Sequence, residues 1–330
     1  GREKAMFVHL HTHTEWSLLD GSNKVSEYVK RVKELGMNAA AITDHGVMYG
    51  VIDFYQACLD AGIKPILGCE VYVAPGSRFD RETGTNDSRY YHLILLAENN
   101  TGYSNLMKIV SRSFTEGYYY RPRVDMELLR EFHEGIIASS ACLAGEVAHY
   151  LARDDMDGAE KAALRYVDCF GQNNFFLELQ DHQDGSEDQQ RVNAGLLRMS
   201  EKLGIPLIAT NDCHYTYADD AEAHDILLCI QTGKKLADED RMRYPGGQFY
   251  VKSEEEMQTL FPYARQALEN TQKIADRCNV TIEFGKTKLP QFDVPEGYDS
   301  WTYLRKLADD GMKERYPSDE ADGGKVLHGF

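Results

Sequence analysis

The stretch Phe7-Val8-His9-Leu10-His11-Thr12-His13, with Asp20-Gly21 a few positions on, decides how the rest of the chain is read. Met6 to Leu10 is apolar enough for a first β-strand. Strand geometry turns alternate side chains to opposite faces, so His9, His11 and His13 are expected on one face. Imidazoles on one edge with a carboxylate close behind suit a borderline divalent metal. No glycine-rich dinucleotide loop follows this strand, which weighs against a nucleotide-binding doubly wound sheet.

Beyond it, strands and helices alternate. Helical apolar spacing over Val25, Tyr28, Val29, Val32 and Leu35 predicts a helix capped by Ser22 or Asn23 and closed by Gly36. Strands are expected at 39–43, 65–73, 90–96, 135–140, 175–179 and 206–210. Helices are expected from Val51 to Gly62, from Thr101, at about 145–153, 157–170 and 188–203. The strands are almost continuously apolar, as in βα units around a parallel sheet buried on both faces. A closed barrel is favoured, because candidate site residues come from many strands at once and a barrel gathers them at its C-terminal face. Arg78 to Arg89 reads as a polar loop.

After about residue 215 the pattern is mostly helical, with helices at 219–230, after the capping box Ser253-Glu254-Glu255-Glu256, and at 264–278. Residues 1–280 therefore read as a barrel with a helical C-terminal extension. Residues 281–330 read as a linker, an amphipathic helix over 301–315 and the truncated start of a following domain.

The 330 residues carry a net charge of −17, which argues against a protein that grips nucleic acid by bulk positive charge. Bound cations would invert the field locally, so nucleic acid stays open as a substrate. Seven cysteines at irregular spacing suit reduced thiols in a cytoplasmic protein, and no run is apolar enough to span a membrane.

Ligand-type residues recur near strand ends: His11, His13, Asp20, His45, Glu70, His92, Cys142, Asp212 and His214. Each alone has an ordinary reading as a core histidine, a turn or a helix cap. Two separate i,i+2 pairs, His11/His13 and Asp212/His214, are harder to reach by chance. His92 is anomalous, since it opens its strand rather than closing it.

His11-Thr12-His13, Thr43-Asp44-His45-Gly46, Gly68-Cys69-Glu70, Tyr91-His92-Leu93, Ser140-Ala141-Cys142-Leu143 and Asn211-Asp212-Cys213-His214 resemble the motifs of the PHP (polymerase and histidinol phosphatase) domain. The longer text, with Tyr120-Arg121-Pro122-Arg123 and Gly246-Gly247-Gln248-Phe249-Tyr250-Val251, resembles the amino-terminal part of the bacterial replicative DNA polymerase III α-subunit family. The resemblance runs from about residue 6 to about residue 316. It implies a distorted (β/α)7 barrel holding up to three divalent ions, zinc, manganese or iron, on all nine residues. Glu70 would bridge, with His11, His13 and Asp212 on one ion, His92 and Cys142 on another, and Asp20, His45 and His214 on the third. The polymerase carboxylates of that family lie beyond this chain, so no polymerase activity is expected from it.

Three divalent ions against four ionised ligands leave about two positive charges, enough to draw in a phosphodiester. The chemistry expected is hydrolysis by metal-activated water with in-line attack on phosphorus, with Glu70, Asp212 and His214 as the catalytic set. Arg78, Arg81, Arg121 and Arg123 are candidates to hold phosphate. Asp44 is expected to orient a neighbouring imidazole, and His9, a pair deeper than His11, to pack or support. His182 is undecided by its spacing. Three functions stay open: a 3′–5′ exonuclease acting on DNA 3′ ends in proofreading, a histidinol-phosphate-type phosphomonoesterase, or a metal-stabilised scaffold. Such a scaffold would dock the remainder of the polymerase α subunit or a separate proofreading exonuclease subunit.

Overall fold

The computed structural model describes residues 7–82 and 90–316. Met6, residues 83–89 of the expected loop and the tail from Pro317 lie outside the described residues. The chain divides into two compact units, residues 1–281 and 282–330.

In chain order the first unit runs α1 (Val25–Glu34), β1 (Ala39–Ile42), α2 (Val51–Ala61), β2 (Lys64–Val73), β3 (Tyr91–Ala97), α3 (Asn100–Thr115), β4 (Arg123–Val124), α4 (Met126–Glu131) and β5 (Ile136–Ser139). It continues with α5 (Glu146–Ala152), α6 (Met156–Phe170), β6 (Phe175–Leu179), α7 (Glu187–Leu203), β7 (Leu207–Ala209), α8 (Ala221–Thr232), α9 (Glu254–Leu260) and α10 (Arg265–Arg277). The short β4 and α4 are additions to the elements legible in the sequence. α9 opens with the reciprocal Ser253/Glu256 capping box. The second unit contains α11 (Ser300–Arg315), capped by Asp299.

The sheet path is β1-β2-β3-β5-β6-β7, with β4 added beside β2. The extended residues 7–13 close the circuit. On one side, Ala41 N–H donates to His9 O (3.1 Å) and Thr43 N–H to Thr12 O (2.9 Å). On the other, His13 N–H donates to Cys213 O (2.8 Å) and Cys213 N–H to His11 O (3.1 Å). Six strands and this segment therefore form the staves of a distorted (β/α)7 barrel.

Two departures from a regular parallel barrel position the site. First, β3 is antiparallel to both β2 and β5. Its first residues thus lie level with the C-terminal ends of its neighbours, which removes the anomaly of His92 and corrects the all-parallel expectation. Second, the bonds from residues 41 and 43, two apart, reach carbonyls 9 and 12, three apart. One extra residue bulges out of the segment and switches the facing of everything after it. Val8 and Leu10 consequently join the core with Ile66, Ile94, Ile137, Phe176 and Ile208, while His11 and His13 still face the site. His9 is therefore not on their face. Its Nε2 lies 2.7 Å from Lys252 O and its Nδ1 3.5 Å from Cys213 Sγ.

The helix α10, read from sequence as part of an extension, is the floor of the barrel. Its Ile274 and Ala275, with Cys278 just beyond, belong to the central core cluster. Asn270 Nδ2 donates to Leu207 O and Lys64 Nζ donates to Ala275 O, tying the helix to strand starts. Among the described residues, no helix is long and apolar enough to cross a membrane, and the seven cysteines are free thiols.

Candidate metal centre

The open end of the barrel gathers all nine candidate ligands. His11 and His13 come from the closing segment, His45 from just after β1, Glu70 from β2 and His92 from the start of β3. Cys142 follows β5, Asp212 and His214 follow β7, and Asp20 sits in the loop after the closing segment. Ser22 and Asn23, expected as helix caps, instead hold this end together. Ser22 N–H donates to His214 O (2.7 Å) and Asn23 Nδ2 donates to His13 O (2.8 Å), and α1 begins after Lys24 with no side-chain cap.

Three groups of ligand atoms converge: His11, His13, Glu70 and Asp212; His45, Glu70 and His92; and His13, His45 and His214. In the first, His11 Nε2 lies 3.2 Å from His13 Nε2, 2.7 Å from Glu70 Oε2 and 3.0 Å from Asp212 Oδ1. His13 Nε2 lies 3.1 Å from Asp212 Oδ1 and 3.7 Å from Glu70 Oε2. A tetrahedral cation with bonds of about 2.1 Å holds its ligands about 3.4 Å apart. Asp212 Oδ1 is buried here without a hydrogen bond. Buried polar atoms normally have partners, so an oxygen and two imidazole nitrogens facing one point fit a cation between them.

Glu70 faces two ways. Oε2 belongs to the first group, whereas Oε1 lies 2.6 Å from His45 Nδ1 and 3.0 Å from His92 Nδ1. Cys142 Sγ is 3.5 Å from His92 Nδ1. On the far side of His45, Nε2 lies 2.5 Å from Asp20 Oδ2, and His214 Nε2, itself without a hydrogen bond, lies 3.4 Å from the same oxygen. The donor set, four imidazoles and three carboxylates with a thiol and a further imidazole, suits divalent first-row cations.

The electrostatics follow from burying so many ionisable groups together. Burial opposes charge on Glu70 and Asp212, but the surrounding imidazoles outweigh it and hold both carboxyls well below their ordinary range. Burial likewise opposes charge on His11, and Asp212 and Glu178 overcome it and raise that imidazole. For Cys142, burial and then the nearby Glu70 and Asp212 push the thiol up. A bound cation reverses that preference, since a coordinating thiol is deprotonated.

Backbone strain marks the same loops. Leu19, Ala141 and Asp212 have φ of 61°, 60° and 47°. These left-handed conformations at non-glycine residues sit on or directly before Asp20, Cys142 and Asp212, and persist where surrounding structure enforces them.

Further residues support the ligands, and of these Glu178, Tyr244 and His224 were not singled out by the sequence. Glu178 Oε1, fully buried on β6, lies 2.6 Å from His11 Nδ1 and accepts from Thr210 Oγ1 and Gln180 Nε2. Its signal was present as a lone carboxylate inside Phe175-Phe176-Leu177-Glu178-Leu179. Tyr244 OH donates to Asp20 Oδ1 (3.2 Å), and its ring packs on His214 at 4.6 Å. His224 Nε2 lies 2.7 Å from Asp20 O. Asp44 meets no imidazole directly; it accepts from Thr14 N–H and Ser17 Oγ, and Ser17 Oγ lies 3.3 Å from His13 Nδ1. His182 lines the inner pocket, stacked on Phe249 at 3.7 Å.

Three of the four phosphate-binding candidates are corrected. Arg78 is 2 % exposed and donates to both Asp125 (Nη1, 3.0 Å) and Glu116 (Nε, 2.7 Å). Arg123 is equally buried, donating to the carbonyls of Gly117 and Arg78 (both 3.0 Å). Arg81 donates to the carbonyls of Arg78 and Glu116 (both 2.7 Å). All three fasten the loop that precedes residue 83. Arg81 and Arg121 are exposed, and of the four Arg121 lines the cleft over the centre.

Residues 9–182 match the family model described as the PHP domain. The chain belongs to the PHP domain family. It is 46% identical over 311 residues to the DNA polymerase III subunit alpha of Treponema pallidum, covering 94% of this chain and 26% of that one. The corresponding protein of Thermus aquaticus is 43% identical over 323 residues, covering 95% of this chain and 26% of that one. The chain thus spans about a quarter of the length of the curated relatives it matches. Among solved structures, a two-domain protein from Bacteroides vulgatus containing a predicted PHP-like metal-dependent phosphoesterase superposes with a TM-score of 0.42 at 14% identity, covering 81% of this chain and 63% of that one.

Proposed function

We propose that this PHP domain is a metal-dependent phosphodiesterase acting as a 3′–5′ exonuclease on DNA, a proofreading module of a bacterial replicative polymerase. The observation that carries the reading is the two-sided carboxylate. Glu70 Oε2 meets His11 and Glu70 Oε1 meets His45 and His92, so this one side chain would serve two neighbouring cations. Such a pair suits phosphoryl chemistry, in which attacking and leaving oxygens both need stabilisation.

His11, His13, Glu70 and Asp212 would hold one ion, Glu70, His92 and Cys142 a second, and Asp20, His45 and His214 a third, as zinc, manganese or iron. When bound, these ions supply Lewis acidity and an activated water at the phosphorus. The chain's own residues do the rest. Glu178 fixes the ring of His11, and Tyr244 fixes the carboxylate of Asp20. Arg121, on the wall of the cleft, supplies a cation to a non-reacting phosphate. His214 Nε2 has no hydrogen bond and is open to hold an ion or a proton. In the cell the domain would act in the cytoplasm, attached to the remainder of the polymerase α subunit, with residues 282–330 leading into it.

The test is nucleotide release from 3′-labelled single-stranded and mismatched-primer DNA with manganese, beside a folded Asp212→Asn variant. Release by the parent alone supports the reading. A metal-loaded parent that releases nothing overturns it and leaves a scaffold for the polymerase body or a separate exonuclease subunit. Hydrolysis of a small phosphomonoester only would favour the histidinol-phosphate type.

A further inference from the structure

Above the candidate ligands lies a cleft of about 610 Å³ whose walls are unusually aromatic for a site in so acidic a chain. Asp20, His45 and His92 form its floor, and Trp16, Tyr49, Tyr72, Tyr90, Tyr118 and Arg121 stand among its walls. Tyr49 and Tyr118 leave 56% and 55% of their surface exposed at the rim. A soluble protein rarely leaves large rings facing solvent around one opening without a ligand to cover them.

The inner rings Trp16, Tyr72 and Tyr90 are held in place rather than loosely disposed. A Cβ on Gly50 would come within 2.2 Å of the Trp16 ring, and one on Gly46 within 2.7 Å of the Tyr72 ring. Both glycines let an aromatic side chain lie directly on backbone. Tyr72 packs edge-on to Tyr90 at 4.9 Å and parallel to His45 at 6.5 Å, so the ring array continues from the rim to the candidate ligands. The Arg121 guanidinium lies over the Tyr72 ring at 5.8 Å.

We infer that this cleft is a stacking groove for unpaired nucleotides, with bases on Tyr49, Tyr118 and Trp16 and one phosphate on Arg121, and that it makes the site selective for single strands. The inference rests on the phosphodiesterase reading, whose substrate it narrows. Stacking needs an open base face, which a paired terminus hides and a frayed or mismatched one offers. A groove with one exposed arginine in a chain of net charge −17 binds through rings rather than by counterion release. An aliphatic protein segment would also cover apolar surface, but walls of rings that lead down to candidate metal ligands suit nucleotides better.

The test uses the whole chain with manganese and a fluorescent (dT)12 whose 3′-terminal linkages are phosphorothioate, so that binding is read without cleavage. A blunt hairpin of matched length is the comparison. Expected are tighter binding of the single strand, a loss of about fivefold or more in each of Tyr49→Ala and Tyr118→Ala, and recovery in Tyr49→Phe and Tyr118→Phe. The slope of log affinity against log salt should be shallow, about −1. Equal binding of the hairpin, or unchanged binding in folded alanine variants, overturns the groove and gives the rim to a protein partner. These outcomes are separate from cleavage of an unmodified strand: a parent that binds with this pattern and never cleaves sinks the exonuclease and leaves the groove.

Discussion

Glu178 Oε1 lies 2.6 Å from His11 Nδ1, and both side chains are fully buried. The carboxylate aims the opposite nitrogen, Nε2, at Glu70 and Asp212. Partners of this kind typically contribute tenfold to a hundredfold in metal affinity. Glu178→Gln should therefore weaken metal binding by about that factor while the protein stays folded. Competition against a chelator measures it, and unchanged affinity would remove Glu178 from the account.

Metal removal should destabilise the barrel, because buried ligand atoms such as Asp212 Oδ1 are left without a hydrogen bond. An ion present at a hundredfold over its dissociation constant adds about 2.7 kcal/mol. For a body of this size that is a fall of about 4–5 °C in Tm on chelation. Thermal melts with EDTA and with manganese decide it; coincident melts would contradict the fit of a cation.

Acid should act through two histidines that are not ligands. Burial pushes the His9 and His224 imidazoles down to about 4. Between the ordinary value of 6.5 and that figure, the unfolded chain binds protons that the folded chain refuses. Through these two groups stability should fall as pH drops from 6.5 toward 4, by up to about 3 kcal/mol for each, while the raised His11, protonated in both states over that range, adds little change. Urea unfolding in EDTA at pH 6.5 and 5 measures the loss with metal effects removed. His224→Gln should shrink it, and a parent equally stable at both pH values would contradict the assignment.

Arg78 and Arg121 should separate cleanly. Arg78→Met removes the guanidinium partner of the buried Asp125, which keeps the N–H groups of residue 78 and Leu128, while Glu116 keeps Arg112, and should cost about 2 kcal/mol. Arg121→Ala, at an exposed position, should change stability by less than about 0.5 kcal/mol and instead raise KM for DNA. Equilibrium unfolding of both variants, with kinetics on the second, checks the contrast.

The strands were legible because their apolar runs are long and punctuated. β6 at Phe175–Leu179 coincides with its expected span, and α10 at Arg265–Arg277 nearly so. What an apolar run does not carry is direction: nothing in Tyr91-His92-Leu93-Ile94 distinguishes an antiparallel strand from a parallel one, which is why His92 looked misplaced. The bulge near His11 was hidden for a similar reason, since alternation along one strand is blind to the register of its neighbours. Arg78 and Arg123 misled because a charged side chain in a polar loop looks alike whether it faces solvent or a buried carboxylate. Amphipathic spacing in α10 revealed an apolar face without revealing that the barrel floor would cover it.

The most direct measurement follows bound metal and nucleotide release together, as metal-stripped protein is titrated with manganese on 3′-labelled single-stranded DNA. Release is expected to rise with metal bound per chain, and a folded Glu70→Gln variant to bind less metal and release nothing. Full occupancy in the parent with no release would contradict this.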